Sequence, residues 1–396
     1  MSLSNDRKIH SLRISTEDLI KNVYPFYDDI RSINPIYKGS FFNYPGWYVT
    51  GYEEASFMLK DVRFQTRLPL PETTRKYQNL KKVLNEMMLY KNPPDHHRLR
   101  KLVSERFTSR ALEALYPYIE EQAYELLKHV TNQKKLNVIS EFAFPLASTV
   151  IAKLLGVPEE DKEQFREWAL TLIQTIDLTR SEEELVTGDK NIVEMVSYFR
   201  KLIRKRKQDP KNDIISLLLD ESEEELVSTC VLLLIAGHET TVNLIANSIY
   251  CLVTNPNQLH QLSENPSLIE AAIEECLRCE SPTQLTARVA SEKVKIGSSV
   301  INKGDQVYVI IGAANRDPRR FRDPHVFDVS RKPNSHLSFG TGVHFCLGST
   351  LARVEAKLAI QAFLKNTPAL EFDVATVDWR HLVGFRALKE LPLVVK

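Results

Sequence analysis

The sequence predicts an α+β fold that is mainly helical. Three observations carry that expectation. Long stretches place apolar residues at three- and four-residue spacing, strand-like patches are short and few, and those patches gather near the N-terminus and after residue 285.

Taken in chain order, GWYVTG around Trp47 is the first strand-like patch. Helical spacing then runs through Ala111–Val130, Pro158–Ile176 and Asn191–Lys207. Pro158, followed by Glu159, Glu160 and Asp161, is a strong helix start: proline presets φ and the acids complement the dipole. The longest helix is expected over Glu225–Val253. It is apolar on most sides, so it should run through the middle of the molecule. A polar island, AGHETT (Ala236–Thr241), interrupts it, and an unpaired Glu239 buried there would cost several kcal/mol. SEKVKIGSSVI near Val294 and DQVYVIIG (Asp305–Gly312) read as strands joined by a hairpin-like turn at Gly304-Asp305. Leu347, Leu351, Val354 and Leu358 then mark a helix that follows Cys346.

No Ser/Gly-rich linker, low-complexity tract or solenoid repeat divides the 396 residues, so one domain over 1–396 is expected. Hydrophobic residues make up 43% and charged residues 26%, the balance of a soluble globular enzyme. A formal net charge of +1 gives no reason to expect nucleic acid or a membrane surface as a partner. MSLSNDRKIHSLRIST lacks the apolar core of a signal peptide or membrane anchor, and the odd count of five cysteines points to free thiols. A cytoplasmic location is expected.

Cys346 is set among glycines in FGTGVHFCLG (Phe339–Gly348), where a loop feeds a helix. Helix dipole and free N–H groups favour a thiolate there. Glycines 340, 342 and 348 would let a large planar group approach the backbone. On these grounds alone the residue could be a structural thiol, a disulfide partner, a zinc ligand, a nucleophile or a ligand to iron. Three rival motifs carry less. Cys276 and Cys279 form CLRC at the end of a helix, without the second ligand pair zinc needs. HETTV (His238–Val242) has valine where a zinc protease helix needs its second histidine. RKLIRKRK (Arg200–Lys207) suits a solvated helix C-terminus.

The pattern Phe339-x-x-Gly342-x-His344-x-Cys346-x-Gly348 resembles the haem-binding loop of the cytochrome P-450, or haem-thiolate monooxygenase, superfamily. Further motifs occur in the family's order, and the resemblance spans essentially the whole chain. It implies the cytochrome P-450 fold, with a long central helix over the haem and small β-sheets. It also implies haem b as cofactor, Cys346 as the metal ligand and dioxygen as co-substrate. AGHETT resembles the oxygen-activation segment, which makes Glu239 and Thr240 catalytic candidates for proton delivery and sets Ala236 and Thr240 against the cofactor. By the same resemblance His96 and Arg100 (in PDHHRLRKL), Arg288 and His344 meet the haem propionates, with Phe339 and Gly348 beside the cysteine. Glu275, Arg278 and Arg331 would form the family's structural network.

Within the family the chain most resembles the biotin-biosynthesis branch of bacilli, through YKGSFFNYPGWYVTGYEE, LIQTIDLTRS, AGHETTVNLIANS, SPTQLTARVASE and GFRALKELPL. That branch cleaves a long-chain acyl group carried on acyl carrier protein to pimeloyl-carrier protein. The likeness implies a pocket lined by Leu172, Thr175, Ile176, Leu178, Ile235, Ala236, Leu285 and Val383. It implies a flavodoxin or ferredoxin electron donor, a hydrophobic substrate, acyl carrier protein as partner and a monomer. Hydroxylation of free fatty acids, terpenoids or macrolide-like molecules is the alternative, and a non-catalytic haem sensor is the alternative of another class. A basic surface near the pocket entrance would help an acidic carrier dock, for which Arg200, Lys201, Arg204, Lys205 and Lys207 are candidates. Two features depart from the resembling sequences: Thr341 stands where they carry histidine, and DESEEEL (Asp220–Leu226) looks short.

Overall fold

The helical periodicity is realised in a computed structural model that describes residues 20–41, 44–70, 73–128, 135–367, 372–374 and 377–395. The Ala111–Val130 stretch is divided: one short helix covers Ser109–Glu113 and a second Tyr116–Leu127, with Pro117 in its first turn. Proline fits that position because its missing N–H has no partner to lose. Residues 129 and 130 lie outside the described residues. The Pro158 start is a 3₁₀ turn over Glu159–Asp161 that leads into the helix Lys162–Ile176. The next helix begins nine residues before the expected Asn191, at Glu182, and runs to Gln208. Its start is set by a capping box, in which Ser181 and Glu184 exchange side-chain and backbone hydrogen bonds.

The central helix spans Glu223–Val253, 31 residues or roughly 46 Å. Ser222 Oγ caps it by accepting from Glu225 N at 3.3 Å. It packs against helices Phe144–Leu155, Ile269–Cys279 and Ser349–Asn366, so its apolar surface is consumed on nearly every side. Two helical stretches, Val138–Leu155 and Glu223–Val253, are long and apolar enough to cross a membrane. Both are mostly buried in the protein's own core.

Ten strands complete the described structure: β1 (Ile36–Phe41), β2 (Tyr44–Val49), β3 (Phe64–Thr66), β4 (Lys135–Asn137), β5 (Leu285–Ala290), β6 (Val294–Ile296), β7 (Ser299–Ile301), β8 (Gln306–Ile310), β9 (Phe372–Val374) and β10 (Pro392–Val395). The main sheet has the order β1-β2-β8-β5-β3, with β2 and β8 parallel and the other pairs antiparallel. β4, β10 and β9 form a second sheet. The expected hairpin at Gly304-Asp305 is not there. β6 pairs with β7 across Gly297, which has φ of +57°, and β8 leaves to join the main sheet. Gly304-Asp305 is instead a connector held by Gly304 N–H donating to Ala290 O.

Near the C-terminus the chain doubles back between residues 378 and 389. Arg380 N–H donates to Ala387 O, and Lys389 N–H donates to Asp378 O. The tip of this hairpin reaches the turn between helices 162–176 and 182–208. There the Asp177 carboxylate accepts from the backbone N–H groups of Val383 and Gly384.

Candidate functional site

The Cys346 loop is built by backbone bonds before any side chain is considered. Cys346 N–H donates to Phe339 O at 2.9 Å, closing the loop, and Gly348 caps the helix Ser349–Asn366. The three loop glycines serve different ends. Gly340 and Gly342 have φ of +67° and +74°, which L side chains rarely adopt. A Cβ on Gly342 would also lie 2.6 Å from Leu59 O, so that glycine lets the loop pack on helix Tyr52–Lys60. Only Gly348 faces open space. Cys346 itself is partly accessible, and it and the four buried cysteines are all free thiols. Burial pushes its thiol pKa up, while the Gly348 N–H, Arg100 and Arg353 pull it down. Cys276 and Cys279 are buried at the end of their helix, and burial pushes the Cys279 thiol up to about 12, as suits an inert structural thiol.

Phe339 is clamped beside the cysteine. The Arg353 guanidinium lies 4.4 Å from its ring centre and His336 packs at 6.0 Å. Thr341 has ordinary extended backbone, and nothing in the structure explains why threonine stands there.

Four basic side chains gather near the loop. The His96 and His344 rings lie 4.2 Å apart, and Arg100 and Arg288 are within electrostatic reach of His344. Among the described residues none of the four forms an ion pair with a carboxylate. Burial, His96 and the neighbouring arginines hold His344 down at about 3, and burial with Arg100 holds His96 down at about 4. Burial also lowers the Arg288 pKa to about 10. His96 Nδ1 is buried and unpartnered. Such a set calls for an anion. With a soft thiol at Cys346 and open room at Gly348, these residues fit a planar metal macrocycle bearing two carboxylates, which is iron protoporphyrin IX.

The central helix opens at one place. Between Leu226 and Ile249 it is buried apart from Thr229 and a window at Ala236, Gly237 and Thr240. Thr240 Oγ1 donates to Ala236 O at 2.5 Å, which leaves its oxygen free to accept, and the helix is unbroken through this turn. Glu239 is buried and forms an ion pair with Arg380 of the C-terminal hairpin. Burial raises its carboxyl pKa, opposed by Arg380, Asn243 and Arg166. His238 points to the other side, where its Nε2 meets Ser148 Oγ at 2.7 Å, and burial holds it neutral with a pKa of about 3.

Glu275, Arg278 and Arg331 do come together. Glu275 and Arg278 have no exposed side-chain surface, Arg278 Nε donates to Glu275 Oε2 at 2.7 Å, and Arg331 Nε donates to Glu275 Oε1 at 3.0 Å. Arg278 also donates to the carbonyls of Asn315, Pro324 and Val326, while Asn334 Nδ2 donates to Glu275 Oε2. Asn315 then bonds Leu337 N–H and Ser338 Oγ. The network therefore reaches the residues just before Phe339.

Of the eight expected pocket positions, Ile176, Ala236, Leu285 and Val383 have accessible surface. Leu172, Thr175, Leu178 and Ile235 are buried, and two of them have clear structural work. Thr175 packs its methyl against Gly188 of the neighbouring helix. Leu178 belongs to an aromatic cluster with Tyr24, Tyr27 and Tyr308. The basic cluster lies farther along the helix that follows this turn. The pocket turn lies before Ser181, whereas Arg200 comes 19 residues later on one continuous helix, roughly 28 Å along its axis, and is paired with Glu223. Arg380, Arg353 and Ser148 carry no local sequence signal for their roles, because each meets its partner only through the tertiary fold.

Residues 165–369 match the cytochrome P450 family. The biotin biosynthesis cytochrome P450 of Bacillus subtilis is 57% identical over 387 residues, covering 96% of this chain and 98% of that protein. Cytochrome P450 107B1 of Saccharopolyspora erythraea is 40% identical, with 88% of each chain covered. Among solved structures, P450BioI in complex with hexadec-9Z-enoic acid ligated acyl carrier protein superimposes with a TM-score of 0.95 at 56% identity, covering 97% of this chain and all of that one. A myxobacterial cytochrome P450 in complex with myristic acid follows at 0.88 and 34% identity, covering 96% and 98%.

Proposed function

Since this chain belongs to the cytochrome P450 family, and is therefore a haem-dependent monooxygenase, we propose that it oxidatively cleaves a long acyl chain carried on acyl carrier protein, giving pimeloyl-carrier protein for biotin synthesis. The observation that carries this reading is whole-chain similarity to a biotin-biosynthesis enzyme whose relative in the solved structures holds an acylated carrier protein. In this reading the enzyme works in the cytoplasm as a single domain, with electrons from a flavodoxin or ferredoxin.

Each side chain then has a task. Cys346 would hold the haem iron through its sulfur, with Phe339 and Gly348 beside it. His96, Arg100, Arg288 and His344 are the proposed partners of its carboxylates. When bound, the haem supplies redox chemistry that activates dioxygen. Ala236 and Gly237, lacking bulky side chains, keep the window on the central helix open. Glu239, in its protonated form, is the proposed proton donor, and Thr240 is the proposed relay: its Oγ1 can accept a proton while the hydroxyl proton it already holds is released into the window, which leaves the alcohol unchanged. Ile176, Leu285 and Val383 present apolar surface that excludes water and orients the aliphatic chain.

Substrate titration tests the reading. Palmitoyl-carrier protein should shift the haem spin state at a lower concentration than free palmitic acid, by at least about tenfold or 1.4 kcal/mol. Equal or weaker binding of the carrier-bound form would instead favour an enzyme of free acids.

A further inference from the structure

The Glu239–Arg380 ion pair has a second feature: the arginine comes from a hairpin that also holds the pocket turn. Arg380 Nη1 donates to Glu239 Oε1, with both side chains largely buried. Three residues on, Val383 N–H and Gly384 N–H donate to Asp177 at 3.2 and 2.7 Å, and Thr179 Oγ1 donates to His381 O at 3.0 Å. Asp177 also accepts from Thr179 N–H at 2.9 Å, which fixes the turn itself. One short hairpin therefore spans from the acid of the central helix to the turn that carries Ile176 and Leu178. The base of the hairpin is closed by the Arg380–Ala387 bond and the Trp379–Leu388 bridge, which puts only two residues between Arg380 and the tip.

We propose that Arg380 is the positioning residue of Glu239, and that the hairpin makes its grip depend on the setting of the 177–181 turn. The proposal rests on the reading of Glu239 as the proton donor. An acid that gives up its proton on an apolar helix is left as a buried carboxylate that needs a counter-charge, and Arg380 is the only side chain forming an ion pair with it among the described residues. The other groups facing Glu239 are Asn243 on its own helix and Arg166 on helix Lys162–Ile176. Arg166 is already turned toward the Phe144 ring, 4.2 Å from its centre, and toward Glu163. A shift of the 177–181 turn would then reach Arg380 through the hairpin, and with it the Glu239 carboxylate.

Infrared difference spectroscopy of the resting haem-loaded protein tests this. The carboxylic acid C=O band of Glu239 is assigned by its loss in Glu239→Gln, and its pH midpoint is followed in each variant. Arg380→Met should move that midpoint to higher pH, because desolvation is then unopposed, and should lower product formed per electron pair by about tenfold. Arg380→Lys should restore both, and Arg380→Gln serves alongside if the methionine variant folds poorly. Asp177→Asn, which loosens the tip without touching the ion pair, should move the midpoint in the same direction by less. A midpoint and coupling unchanged in the Arg380 variants would overturn the positioning role. An effect of Arg380 without any effect of Asp177→Asn would overturn the link to the turn. Normal coupling in Glu239→Gln would remove the proton-donor premise, and the proposal with it.

Discussion

At the scale of the residue, the loop around Cys346 separates conformational from spatial needs of glycine. Gly342 is constrained twice, by positive φ and by Leu59 O, so Gly342→Ala should cost about 1–3 kcal/mol and lower the melting temperature of the haem-free protein. Gly348 has ordinary φ and open space around its missing Cβ, so Gly348→Ala should leave that melting temperature unchanged. Its effect should appear as weaker haem retention, measured by transfer to apomyoglobin. Equal effects of both substitutions on melting would contradict the division of labour. The iron ligand is tested by Cys346→His, which should fold but lose the thiolate-type carbon monoxide spectrum of the reduced protein. A spectrum unchanged in that variant would rule Cys346 out.

The residue scale is also where the sequence was most legible. Cys346, Glu239 and Thr240 sit in short motifs, so they stand out as candidates from their neighbours in the chain. Local reading failed where a role depends on distant partners. Glu239 looked like an unpaired buried acid because Arg380 lies 141 positions away. Thr175 sets its methyl in the space left by Gly188 on another helix, a contact that no local pattern announces.

At the scale of the element, helix Ile269–Cys279 shows two kinds of ion pair side by side. Glu275 is fully buried with Arg278 and Arg331, so Glu275→Gln leaves two cations short of a partner and should destabilise by about 3–5 kcal/mol, measured by denaturant unfolding. A change below 1 kcal/mol would mean that the network does not hold the loop. Glu274, one residue earlier, is partly exposed and pairs with Arg353 and His336. Burial works against its charge, but the two partners prevail and hold its pKa down at about 2. A depressed carboxyl contributes stability above its unfolded value of about 4.3, lost as pH falls through about 2. Glu274→Gln should therefore flatten the loss of stability between about pH 4.5 and pH 2, and a slope equal to wild type would contradict the assignment.

Helices were legible from spacing, but their ends were not. The capping box at Ser181–Glu184 extends one helix nine residues beyond its apolar pattern, because satisfied N–H groups allow a polar first turn. The expected β-hairpin failed for a related reason. Adjacent strand-like patches need not pair, and β8 is drawn into the main sheet by β2 and β5.

At the scale of the molecule, the apolar central helix was read correctly as running through the core, and that one element organises the site. It sets Ala236 and Thr240 in the one opening near its middle and brings Glu239 to the C-terminal hairpin. The account as a whole stands on the fate of a carrier-bound chain. Palmitoyl-carrier protein incubated with the reconstituted enzyme, an electron donor and dioxygen should yield pimeloyl-carrier protein by intact-protein mass spectrometry. Intact or merely hydroxylated acyl chains, with no shortened product at full electron consumption, would contradict it.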